Sequence, residues 1–160
     1  MIFELRSLIV LLAAFGNISC QAVQDNLFPD AMTEARFQVD VRRDLRRRAD
    51  LGSDVEEHPR AAGGITDLTF RGIPIELKVS PTLIGLEDCD QFVDQTVSYA
   101  VGRGRRVAIL CVFDCSRKVS PPLPPETLVR TVSRNSGAAA VTVVVFLVQG
   151  NLATPSSLSR

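Results

Sequence analysis

Residues Gly64 to Lys78 read Gly-Ile-Thr-Asp-Leu-Thr-Phe-Arg-Gly-Ile-Pro-Ile-Glu-Leu-Lys, and this stretch restricts the fold more than any other. Arg71-Gly72 suits the two-residue loop of a β-hairpin. The register that follows pairs Phe70 with Ile73, Leu68 with Ile75, Asp67 with Glu76 and Ile65 with Lys78. Side chains two apart share a face of a strand. Asp67, Glu76 and Lys78 therefore project to one side, with Thr66, Leu68, Phe70, Ile73, Ile75, Leu77 and Val79 on the other, apolar side. Opposed residues carry Cβ atoms about 5 Å apart, close enough for two carboxylates to grip one cation with bonds of about 2.1 Å. Lys78 follows one strand repeat on, roughly 7 Å along the chain, where it could hold a water beside that cation. A plainer reading has Lys78 neutralising Glu76 on a solvent-exposed hairpin, since Glu-x-Lys is common by chance; Asp67 in register tells against it.

Around this hairpin the pattern alternates helix and strand. Met32 to Ala49 has helical spacing, with Phe37, Val41 and Leu45 on one face and Glu34 on that same face, one turn earlier. Arg42, Arg43, Arg46, Arg47 and Arg48 take the other sides, as a solvated face or, less simply, as a ridge for phosphates. Asp54 to Arg60 reads as a short strand or extended loop, and Gly63-Gly64 as a turn. Ile65 to Phe70 and Ile73 to Ser80 are the hairpin strands. Leu86 to Ala100 is a helix, Gly102 to Gly104 a turn, and Arg106 to Phe113 a buried strand. Ser120 to Glu126 is a proline-stiffened connector. A short helix from Glu126 to about Arg134 then precedes an apolar strand from Ala139 to Val148. The expected class is α/β with a mixed central sheet flanked by helices. The chain divides into an apolar N-terminal helix or extension (1–30), one domain (31–150) and a loose polar tail (151–160).

Charge excludes an argument from bulk electrostatics: 18 Lys plus Arg balance 18 Asp plus Glu, so nucleic-acid binding needs a local basic surface. Cysteines stand at 20, 89, 111 and 115 without CxxC spacing, which disfavours a structural zinc site; the chain is too large and too aliphatic to need a disulfide framework. Cys111 and Cys115 read as small buried thiols. His58, with no Ser or Cys partner suggesting a triad, reads as a surface residue. The apolar run Ser7 to Gly16 is too short for a membrane span and has the length of a signal-peptide core, but Glu4 beside Arg6 denies it the usual positive flank. A helix over Leu8 to Phe15, packed on the domain of a cytoplasmic protein, accounts for the same residues.

Taken in order, these residues resemble the PD-(D/E)XK nuclease superfamily, with its restriction-endonuclease-like fold. Asp67 matches the first acid and Glu76-Leu77-Lys78 the (D/E)xK tripeptide. The helix, three strands, helix, strand order from Met32 to Phe113 is similar to the superfamily's αβββαβ core. Glu34 looks like the extra carboxylate of the first helix in many members. Gln95-Thr-Val-Ser-Tyr99 resembles the QxxxY motif of a branch that includes many defence-associated nucleases; Gln95 and Tyr99 lie one turn apart on one helix face. Thr66 stands where the superfamily has proline, a position that varies among members. The resemblance covers about half the chain. It implies a hydrolase, a Mg²⁺- or Mn²⁺-dependent (endo)deoxyribonuclease acting in defence or DNA processing. Asp67, Glu76 and the Leu77 carbonyl would bind the metal, Lys78 would act on the water and the phosphate, and Glu34, Gln95 and Tyr99 would complete the site. Arg103, Arg105 and Arg106 could guide the strand in. DNA is the implied partner, with RNA left open, no membrane, and a homodimer or a larger multidomain defence complex as assembly. The alternative is a catalytically inactive DNA-binding or assembly module of the same fold.

Overall fold

Arg71 and Gly72 reverse the chain with φ angles of 49° and 80°, both positive as a type I′ hairpin loop requires. On either side lie β2 (Asp67–Phe70) and β3 (Ile73–Ser80), paired Phe70 to Ile73, Thr69 to Pro74 and Leu68 to Ile75. The structure, a computed structural model, describes residues 2–58 and 67–158, and of Asp67 the backbone alone. The expected Gly63-Gly64 turn and the start of the strand at Ile65 lie outside the described residues.

The other elements are α1 (Ile2–Gln24), α2 (Glu34–Arg47), β1 (Val55–His58), α3 (Val93–Gly102), β4 (Val107–Asp114), β5 (Val129–Ser136), β6 (Ala139–Gln149) and the short α4 (Pro155–Leu158). The class is mixed α/β. Six strands form one sheet in the order β1-β2-β3-β4-β6-β5. β3, β4 and β6 run parallel at its centre, with antiparallel strands at both edges. The centre reads as near-continuous apolar sequence, Val107 to Phe113 and Val141 to Val148, because both faces are covered.

One face packs under α1 and α2. Leu68, Phe70, Ile73, Ile75 and Leu77 of the hairpin join Leu11, Phe15, Ile18, Phe37, Val41 and Leu45 in a single core. Thr33 caps α2, its hydroxyl accepting from the Arg36 amide at 3.2 Å. The Phe37 ring stacks on Phe113 with centroids 5.0 Å apart, and Phe28 closes edge-on over Phe37 at 5.4 Å. α3 covers the opposite face with Val93, Val97 and Ala100 over Ala108, Leu110 and Val112. The expected helix from Leu86 begins as a tighter 3-10 segment, Glu87–Phe92. All four cysteines are free thiols. Burial pushes the Cys89 thiol up to about 11 and raises Cys111 as well, so both stay protonated.

α1 is longer than the helix expected over Leu8 to Phe15. It lies on β6, where Phe15 meets Phe146 at 5.6 Å between centroids. By length and composition it could cross a membrane, and a third of its most apolar window is buried in the protein.

The helix expected from Glu126 to Arg134 is instead a 3-10 turn, Pro125–Leu128, followed by strand β5. Arg130, Val132 and Arg134 turn inward while Val129, Thr131 and Ser133 face out, a period of two that a helix cannot satisfy. Arg130 pairs with Asp90, and Arg134 reaches Asp90 and Asp94 at 3.7 Å. Part of the tail expected to be loose forms α4, which is exposed.

Gly150 fits where no side chain can. A Cβ there would enter the Phe113 ring and stand 2.8 Å from the Phe28 carbonyl oxygen. Gly150→Ala is therefore expected to cost about 1–3 kcal/mol through overpacking, read as a lower urea midpoint with an unchanged slope. A midpoint equal to wild type would mean that Phe113 has room to swing clear.

Candidate active site

Glu76 and Lys78 sit in the middle of β3, between apolar neighbours that anchor the strand from its other face. Their own face is not open to water as a polar hairpin face would be. Glu76 is 2% exposed, and Thr69 and Pro74 beside it are buried. The Lys78 ammonium lies 2.9 Å from a Glu76 oxygen and 3.6 Å from a Glu34 oxygen, with side-chain exposures of 13% for the lysine and 26% for Glu34. Glu34 comes from the first turn of α2, in the layer that covers the other side of the sheet. The helix N-terminus favours its negative charge, and the Phe37 stack holds that turn in place. One ammonium thus joins carboxylates from two elements far apart in sequence.

Asp67 begins β2. Continuing the Leu68–Ile75 register by one step sets its backbone opposite Glu76; its side chain lies outside the described residues. Thr66, in the place of the superfamily's proline, also lies outside them. Leu77, between the two functional side chains, is buried in the core, and its backbone pairs with Cys111 of β4.

His58, expected at the surface, is about a third exposed there and also lies beside β2. It pairs with Asp67 in the β1–β2 ladder, and its Nε2 lies 2.9 Å from the Thr69 hydroxyl and 3.6 Å from Glu56. The only sequence signal for this was the β1 register, and the connection from β1 to β2 hides it.

Gln95 and Tyr99 face each other along α3, the Gln95 amide donating to the phenol oxygen at 2.8 Å. Gln95 is exposed and Tyr99 half-buried, so the bond braces the outer side of the helix. The α2 arginines are mostly committed within the protein. Arg36 and Arg43 reach Asp40, Arg48 binds Asp44, Arg42 pairs with Glu57, and Arg46 donates to the Val55 carbonyl. That is the behaviour of a solvated face. Arg105 lies over Gly72 and reaches Glu4 at 4.0 Å. Arg103 to Arg106 precede β4, at the end of the sheet where β3 starts. With Lys78 paired to Val112, that end is about 16 Å from the lysine at roughly 3.3 Å per residue. These arginines are not placed to guide a strand past Lys78.

No family model, curated protein or solved structure matches this chain.

Among the described residues no three His, Cys, Asp or Glu side chains group as metal ligands. Glu34 and Glu76 provide two hard oxygen donors around Lys78, and Asp67 is the third acid of the sequence pattern. A carboxylate set of this kind suits Mg²⁺ or Mn²⁺ rather than zinc.

Proposed function

We propose that the chain is a metal-dependent nuclease with a restriction-endonuclease-like core, cutting phosphodiester bonds in DNA. The observation that carries this reading is the Lys78 ammonium held between Glu76 and Glu34, with Asp67 at the adjoining ladder position. The order of elements from α2 to β4 accords with it. Asp67, Glu76 and the Leu77 carbonyl would hold Mg²⁺ or Mn²⁺, which supplies Lewis-acid polarisation of phosphate and a more acidic water. Lys78 orients the attacking water and donates to the phosphate oxygen as negative charge builds there. Glu34 limits the lysine's freedom, so that its ammonium is preorganised before substrate arrives. Gln95 and Tyr99 would stiffen α3, the helix over the Glu76 face, from its outer side. A cytoplasmic location and RNA as a second substrate belong to the same proposal.

A non-catalytic DNA-binding module is the second reading, and the closed pairing of Lys78 with two carboxylates favours it, since such a triad also serves as a structural tie. Plasmid digestion separates them. Folded wild-type protein is expected to cut with Mg²⁺ or Mn²⁺ and to stop with EDTA. Glu76→Ala is expected to lose cleavage and to weaken Mn²⁺ binding in a calorimetric titration, since it removes a charged oxygen ligand. Folded wild-type protein that binds DNA and cuts neither DNA nor RNA would leave the module as the better reading.

A further inference from the structure

A cavity lies beyond the carboxyl ends of β3 and β4, lined by none of the residues of the candidate active site. It measures about 620 Å³ and opens between the segment that leaves β3, Thr82 to Leu86, and the one that leaves β4, Ser116 to Leu123. The carboxyl ends of parallel strands are where open α/β sheets hold ligands, and this volume is in the range of small-molecule pockets. Leu147 and Leu128 supply apolar walls. Leu83, Val119 and Leu123 at the rim are 78%, 83% and 57% exposed, an apolar cluster that a soluble surface rarely leaves open without use.

The polar groups lining the pocket are almost all spent on the protein itself. Asp114, 2% exposed, has one oxygen bonded to the Ser116 amide, the Ser116 hydroxyl and Lys118, and the other 3.5 Å from the Ile84 amide. The Lys118 ammonium also donates to the carbonyls of Asp114, Ser116 and Gly150. The Gln149 amide clamps the Leu123 backbone with both its ends, at 2.8 and 2.9 Å. A polar ligand body would find few free groups, chiefly the exposed Ser120 and Thr82 hydroxyls, and would lose most of its hydration without return. Among the charged groups of the lining Arg117 is the exception: it is exposed at the mouth and makes no hydrogen bond or ion pair with a described residue.

We infer that this pocket binds a small amphipathic anion, with an alkyl or aryl body between Leu123, Leu128 and Leu147 and a carboxylate or similar head on Arg117. This assignment is independent of the nuclease proposal, because none of its residues belongs to that site.

Dodecanoate is the probe, titrated calorimetrically into the full chain, with dodecylamine and dodecanol as controls. Saturable binding of one dodecanoate is expected, with dodecanol weaker and dodecylamine weakest. Arg117→Ala is expected to weaken dodecanoate about fivefold, the scale of an exposed ion pair, without affecting dodecanol. Leu123→Asp is expected to abolish uptake, and its exposed side chain leaves the Gln149 clamp on the backbone intact, which a thermal melt checks. Equal affinity for all three probes would overturn the anionic head. No uptake by folded protein, or uptake untouched by Leu123→Asp, would overturn the pocket assignment. Self-association removed by Leu123→Asp, without dodecanoate binding, would give the groove to a second copy of the chain and overturn it equally.

Discussion

Lys78→Met is expected to lower the cleavage rate about 10²–10³-fold while leaving Mn²⁺ binding largely in place. The magnitude is that of removing one preorganised donor from a developing phosphate charge, and the metal's acids remain. The same substitution leaves Glu76, 2% exposed, without its 2.9 Å counter-ion. Removing one partner of a buried pair costs about 3–5 kcal/mol, so the variant should melt roughly 10 °C lower. An exposed hairpin face would have predicted no such loss. The two effects are separated by assaying well below the variant's melting point. The double variant Glu76→Gln/Lys78→Met should recover much of the stability and none of the activity. A Lys78→Met protein that cuts at the wild-type rate would refute the proposed role of the lysine whatever its melting point.

Phe37→Ala carries the second large effect. The ring stacks on Phe113, meets Phe28 edge-on and is fully buried. Truncation leaves a cavity between α2 and the sheet at about 3–5 kcal/mol, including the aromatic pairings of about 0.5–1.5 kcal/mol each. Phe37 also lies one turn from Glu34, so the start of α2 loosens with it. Cleavage should fall even where the variant is folded, because Glu34 no longer confines Lys78. Phe37→Leu, which refills most of the space, should restore both. A melting point within a degree or two of wild type would show that the aromatic cluster does not anchor α2.

How far the sequence reaches is set by the range of the interactions involved. The β2–β3 hairpin is readable from Arg71-Gly72 and the apolar alternation, since both turn and register are local. Glu34 could be placed near the site because it shares the face of Phe37. That Glu76 is buried could not be read, because the cover over its face arrives through the crossover to α3. β5 is not legible locally, since Leu128 with Val132 and Arg130 with Arg134 fit helical spacing as well; the Asp90 and Asp94 carboxylates that favour the strand lie before β4. The pairing of Arg42 with Glu57, which removes it from a phosphate ridge, likewise depends on β1 docking beside α2. The pocket at Arg117 is built by two connections with no motif in either.

α1 and β6 come together only after the whole of the sheet between them in sequence has been synthesised. During that interval Leu11, Phe15 and Ile18 lack the part of their cover that β6 supplies, and a helix of membrane-spanning length stays partly uncovered on the nascent chain. Closing so long a loop is entropically slow relative to the hairpin. Docking of α1 on β6 is therefore expected to follow formation of the hairpin. Until β6 is in place, the burial of the Phe15 side of α1 against Phe146 is a contact the growing chain cannot yet make.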